Sequence, residues 1–148
     1  MKNLIGHFVT ITKHRHLVIK HCKKAGVLWQ GLRHDLSKYS PTEFLPGIKY
    51  YTGQRSPNEG ERAENGYSLA WIHHKGRNKH HFEYWTDYNP VSKLVEPVEM
   101  PVNYVAEMFC DRVAAGLFTR KPRICLKVFL LCLRTTAKNI PLNIFADL

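Results

Sequence analysis

HRHLVIKHCKKAGVLWQGLRHDLSK, residues 14–38, holds the pattern from which the fold is read. Its apolar positions Leu17, Val18, Cys22 and Ala25 follow helical spacing and stop at Gly26, which predicts a helix over about 9–25. Leu28, Leu32 and Leu36 predict a second helix over about 28–37. His14 shares the apolar face of the first helix and is presented inward, whereas His16 and His21 read as surface residues or as supports behind an inner group. The adjacent pair His34-Asp35 is the sharpest element. Neighbours on a helix point about 100° apart, so one ion is not gripped by both in the same way. A carboxylate can, however, bridge two ions while its neighbour binds one of them.

Outward from this stretch the chain stays helical. Ser40-Pro41-Thr42-Glu43 and Ser56-Pro57-Asn58-Glu59 each offer a capping Ser, a Pro at the first helical position and a Glu able to reach back to the cap. Two helices are therefore expected to begin near 41 and 57. The first should be short or kinked at Pro46, and the second should run to about His74 despite Gly60 and Gly66. HHFEYW, opening at His80, reads as the next helical stretch. Pro101 opens a helix whose Val102, Val105, Ala106, Phe109, Val113 and Ala114 cover most of its circumference, so it should be central. Segments 75–79 (KGRNK) and 88–100, with Pro90 and Pro97, read as loops. The apolar block Leu126–Leu133 reads as a terminal helix that Pro141 ends.

The expected fold class is all-α, a compact helical bundle forming a single domain over 1–148. With 148 residues and 44% hydrophobic content the chain has the material for a core, which excludes disorder and small disulfide scaffolds. Cys22, Cys110, Cys125 and Cys132 contain no C-x-x-C pair and lie in apolar surroundings, as buried free thiols do. No signal peptide is legible, and no apolar run approaches the roughly 20 residues of a membrane span. A cytoplasmic protein with no membrane partner is the expectation. The net charge of +10 is concentrated at both ends and attracts phosphate-bearing partners, nucleotides or nucleic acid among them.

Nine histidines are several times ordinary usage. Neutral imidazole beside carboxylate suits Fe, Mn, Ni, Co or Zn, and the cysteine spacing argues against a structural zinc cage. At least one of His73 and His74 should face inward, and His80 and His81 follow one short loop later. Asp111 shares a face with Tyr104, Met108 and Ala115, an apolar stripe on which an unpaired carboxylate is costly and a metal or an Arg would resolve the cost.

The order His14, His34-Asp35, His73/His74, His80/His81, Asp111 resembles the HD-domain superfamily over about residues 9–115, with a Lys three places after the Asp, here Lys38. HDLSKYSPTEF, GYSLAWIHHKGRNKHHFEYW and EMFCDRVAAG are also similar to a small family of bacterial and phage proteins that carries no assigned activity. The HD resemblance implies one or two divalent transition-metal ions among the helices. His14, His34, Asp35 and Asp111 would hold the first, and Asp35 with one His of 73/74 and one of 80/81 the second. It further implies Asp35 and Lys38 in catalysis, with Lys38, Arg33, Lys75, Arg77 and Lys79 on substrate phosphate. The implied activity is metal-dependent hydrolysis of a nucleotide or another small phosphorylated compound. Two alternatives are a di-iron oxygenase on the same ligands and a basic nucleic-acid- or protein-binding protein without catalysis. The chain beyond about 118 lies outside the resemblance.

Overall fold

Two long helices, one near each end of the described chain, frame the structure. The computed structural model describes residues 2–119; nearly all of the expected C-terminal helical extension over about 118–148, with its terminal helix around Leu126–Leu133, and the thiols of Cys125 and Cys132 lie outside its described residues. α1 spans Lys2–Lys24 and α6 spans Val102–Thr119. Between them come α2 (Leu28–Arg33), α3 (Pro41–Lys49), α4 (Pro57–Asn65) and α5 (Leu69–Lys75), with single 3-10 turns at Leu36–Tyr39 and Phe82–Tyr84. A short antiparallel hairpin, β1 (Thr86–Tyr88) and β2 (Val95–Pro97), pairs Asp87 with Glu96. The described chain is thus mostly helical, as the apolar spacing predicts, with the hairpin set in a segment that Pro90 and Pro97 mark as loop.

The core lies where α1 meets α6. Val18 and Cys22 of α1 pack on Cys110 and Ala114 of α6, with Leu17, Ala25 and Val27 around them. Met100, Val105 and Met108 form a second cluster beside Trp85 and Tyr104. α6 thus supplies residues to both clusters, while Val102 at its start stays exposed. α2 lies tight against α1, because a Cβ at Gly31 would come within 2.6 Å of the Cys22 Cβ. Among the described residues no helix is long and apolar enough to cross a membrane.

Four boundaries differ from the sequence reading, and the first is that the helix expected from about 9 begins already at Lys2. The helix expected over 28–37 stops at Arg33, with His34 as its C-cap. The helix expected over 57–74 is two helices, because Gly66 adopts φ 80 and caps α4 in the left-handed region that favours glycine. HHFEYW is not a helix: His81 is extended at φ −90, ψ 127, and only a 3-10 turn follows. Pro46 stands inside α3 without ending it, in the second turn of a nine-residue helix.

Candidate metal centre

The backbone around Asp35 aims the site. Asp35 adopts φ 54, ψ 25, a left-handed conformation uncommon for any residue with a side chain and tolerated best by Asn and Asp. It reverses the chain directly after α2 and turns both carboxylate oxygens inward, where the side chain is 1% exposed. Arg15 of α1 secures this exit: its Nε donates to the His34 carbonyl at 2.8 Å and a terminal nitrogen donates to the Leu32 carbonyl at 2.7 Å. The corner leading into α5 is held in the same way. Ser68 Oγ donates to Glu61 Oε2 at 2.5 Å and accepts the Trp71 N–H at 3.0 Å.

Asp35 stands between two sets of histidines. Its Oδ2 lies 3.2 Å from His34 Nε2, and its Oδ1 lies 3.3 Å from His74 Nε2 and 3.4 Å from His80 Nε2. His14 of α1 and Asp111 of α6 complete the first side, with His14 Nε2 2.9 Å from Asp111 Oδ1 and His34 Nε2 3.6 Å from the same oxygen. His14, His34 and Asp35 present ligand atoms all within 4.8 Å of one another, and so do Asp35, His74, His80 and His81. Both sets could hold a divalent ion with nitrogen and oxygen ligands.

Behind the ligands stand two carboxylates that sequence reading did not place here. Glu107 Oε1 accepts from His34 Nδ1 at 3.0 Å and from His80 Nδ1 at 3.1 Å. Glu43 Oε2 accepts from His74 Nδ1 at 2.8 Å, while its Oε1 accepts from His73 Nδ1 at 2.7 Å. Such bonds keep a proton on Nδ1 and leave Nε2 as the nitrogen turned toward Asp35. Ser37 and Asn78 complete the support: Asn78 Nδ2 donates to Ser37 Oγ at 2.7 Å and to the His74 carbonyl at 2.8 Å.

Several buried polar atoms here make no hydrogen bond: His34 Nε2, Asp35 Oδ1, His80 Nε2 and both ring nitrogens of His81. Each such atom costs about 1–3 kcal/mol unless something satisfies it. They belong to the two ligand sets, so the residues present fit a bound cation. Electrostatics agree. Burial opposes charge on His34, but Asp35, Asp111 and Glu107 outweigh it and hold the ring's pKa well above the usual value. Burial alone would raise Asp35, yet His34 and Lys38 pull it well below the usual carboxylate range. Asp111 is likewise held well below that range, His14 and His34 overcoming its burial. Burial, with His80 and His74 adding to it, pushes His81 down to about 2, so that ring is neutral.

The structure resolves both histidine pairs. His74 joins the cluster and His73 does not, being turned to Glu43. His80 and His81 both join it, and both rings are buried. His16 is exposed, whereas His21 is buried on α1. The capping-box reading of Glu43 is corrected, for Ser40 makes no side-chain cap bond and the Glu43 carboxylate serves the histidines instead. The signal for Glu107 is its place four residues before Asp111, one helical turn away on a largely apolar helix.

Beside the cluster opens a cavity of about 450 Å³ whose wall includes His14, Asp35, Lys38, His74, His81 and Asp111. Lys38 Nζ lies 2.6 Å from Asp35 Oδ2. The other cations expected on substrate phosphate stand elsewhere. Arg33 stacks on Trp29, its guanidinium carbon 4.8 Å from the ring centroid, and the Lys79 ammonium lies 5.7 Å from both the Tyr84 and Tyr104 centroids. Neither they nor Lys75 and Arg77 line the cavity; from the KGRNK loop, Asn78 is the residue that supports His74. The cavity's further cations are Arg55 and Arg112.

Fold and site together define a mostly helical protein with a buried cluster of histidines and carboxylates at the side of a cavity. The chain matches, over residues 4–135, the model of a family described as "Family of unknown function (DUF5662)", and it belongs to that family. No curated protein and no solved structure matches it.

Proposed function

We propose that this protein is a metal-dependent phosphohydrolase of the HD type, acting on a nucleotide or another small phosphorylated compound. The observation that carries the reading is the Asp35 carboxylate, which offers one oxygen to His34 and the other to His74 and His80. His14, His34, Asp35 and Asp111 would hold one divalent ion, and Asp35, His74, His80 and His81 a second. Bound there, such ions supply a water of lowered pKa and neutralise charge on phosphoryl oxygens.

The chain's own groups do the rest. Glu107 and Glu43 keep protons on the Nδ1 atoms of His34, His80 and His74, so their Nε2 atoms are the ones turned to ligate. Lys38, paired with Asp35 and about a third exposed, carries a positive charge to the cavity wall beside the cluster. A phosphoryl group there meets that ammonium as a charge-assisted donor. The cavity admits a small molecule, its volume falling in the range of ordinary ligand pockets.

The test is phosphate release from a panel of nucleoside monophosphates and simple phosphate monoesters, after loading with Mn, Fe, Co, Ni or Zn in turn. The reading expects turnover with at least one metal and none for Asp35→Ala. Turnover that survives in Asp35→Ala, or oxygen consumption with iron in place of phosphate release, would overturn it.

A further inference from the structure

Lys38 is already held by Asp35, but Arg112 is not held by anything comparable among the described residues. Among the described residues Arg112 has no ion-pair partner, and its buried Nε makes no hydrogen bond. It follows Asp111 on α6, so the two side chains leave the helix about 100° apart. Both nevertheless line the same cavity. A guanidinium offers donors only, and leaving the buried Nε–H unmatched costs free energy that an anion returns. Its planar fork matches the oxygens of phosphate or carboxylate. The same cavity wall includes Ile11, Tyr51, Ala70 and Trp71, apolar or aromatic surface suited to a carbon skeleton.

We propose that Arg112 binds the anionic group of the substrate, whose apolar or aromatic body lies against Ile11, Tyr51, Ala70 and Trp71. The ligand class is a small anionic molecule of cavity size, not a polymer. That the anion is a phosphoryl group rests on the proposed function; that Arg112 binds an anion does not. Arg55, exposed on the loop before α4, lines the same cavity as a second cation.

The proposal is tested on metal-free protein with inorganic phosphate as the probe, its binding measured by calorimetry in the parent, Arg112→Gln, Arg112→Lys and Lys20→Gln. Lys20 is exposed on α1 outside the cavity, so its variant removes the same charge at a distance. Arg112→Gln should weaken phosphate binding about tenfold or more, the effect of a lost charge-assisted hydrogen bond, while Arg112→Lys should recover part of it. Lys20→Gln should stay within about twofold, since its charge is solvent-screened. Metal uptake and circular dichroism of the Arg112 variants should match the parent. No phosphate binding in the parent, unchanged binding in Arg112→Gln, or an equal loss in Lys20→Gln overturns the proposal. Should Arg112→Gln fail to fold, Arg112→Lys decides alone: binding equal to the parent's overturns it and a partial loss supports it. The two readings part cleanly. Phosphate held by Arg112 in a protein that takes up no metal sinks the hydrolase and keeps the anchor; metal-dependent turnover with unaltered phosphate binding in Arg112→Gln does the reverse.

Discussion

Glu107 Oε1 lies 3.0 Å from His34 Nδ1, and neither side chain has more than slight contact with solvent. A buried carboxylate that receives the Nδ1 proton both orients the ring and makes its other nitrogen a better ligand. Glu107→Gln keeps the shape but loses the charge. Metal affinity should fall about 10–100-fold, the usual cost of losing such support, with the helical signal intact. Competition with a chromophoric chelator measures it, and an unchanged affinity would show that Glu107 does no more than fill space.

His73 and His74 differ by one position and should differ in effect. His74 faces Asp35 through Nε2, while His73 is turned to Glu43. His74→Ala should lower the bound metal by about one equivalent, since it removes a ligand outright. His73→Ala should keep full metal content. Equal losses in the two variants would place the second ligand set wrongly.

Metal binding should strengthen with pH, for a reason that lies in His34. Burial opposes its charge, but Asp35, Asp111 and Glu107 hold the folded-state pKa well above 6.5. A group shifted upward on folding stabilises fully below its unfolded pKa of about 6.5 and loses that contribution as pH rises through the folded value. A ligated ring carries no proton on the ligating nitrogen, so metal takes the proton's place and uptake releases about one proton from this residue. The metal-induced rise in Tm should therefore grow as pH rises above about 6.5. A rise independent of pH would contradict it.

The close approach of α2 to α1 gives a stability test that needs no metal. Gly31→Val places a Cβ 2.6 Å from that of Cys22, both on well-packed helices. Overpacking of this kind costs about 1–3 kcal/mol. Urea denaturation should show that loss with an unchanged m-value, and a neutral effect would mean that the two helices separate freely.

α1 and α6 were legible because apolar residues at helical spacing outnumber every competing signal, and Pro41 and Pro57 marked two starts correctly. The ends were harder. Gly66 reads as a tolerated cost inside a helix, whereas it terminates α4 by adopting positive φ. Asp35 reverses the chain with no glycine to announce it, so the pair His34-Asp35 looked helical. His14, His34-Asp35 and Asp111 stood out in the sequence because ionisable side chains on apolar faces need a reason to be there. Glu43 did not, because a Glu three residues after Ser40 has an ordinary capping explanation that the structure does not use. Spacing alone could not choose within the pairs 73/74 and 80/81; the turn of α5 and the loop after it decide that.

The central claim is that the cluster around Asp35 exists to hold metal. Elemental analysis of protein purified without an affinity tag, beside a His34→Ala, Asp35→Ala double variant, tests this most directly. The account predicts about one or two equivalents of a divalent transition metal in the parent, natively or after loading, and none in the variant. A parent that carries no metal and takes up none, or a variant that binds as much as the parent, would contradict it.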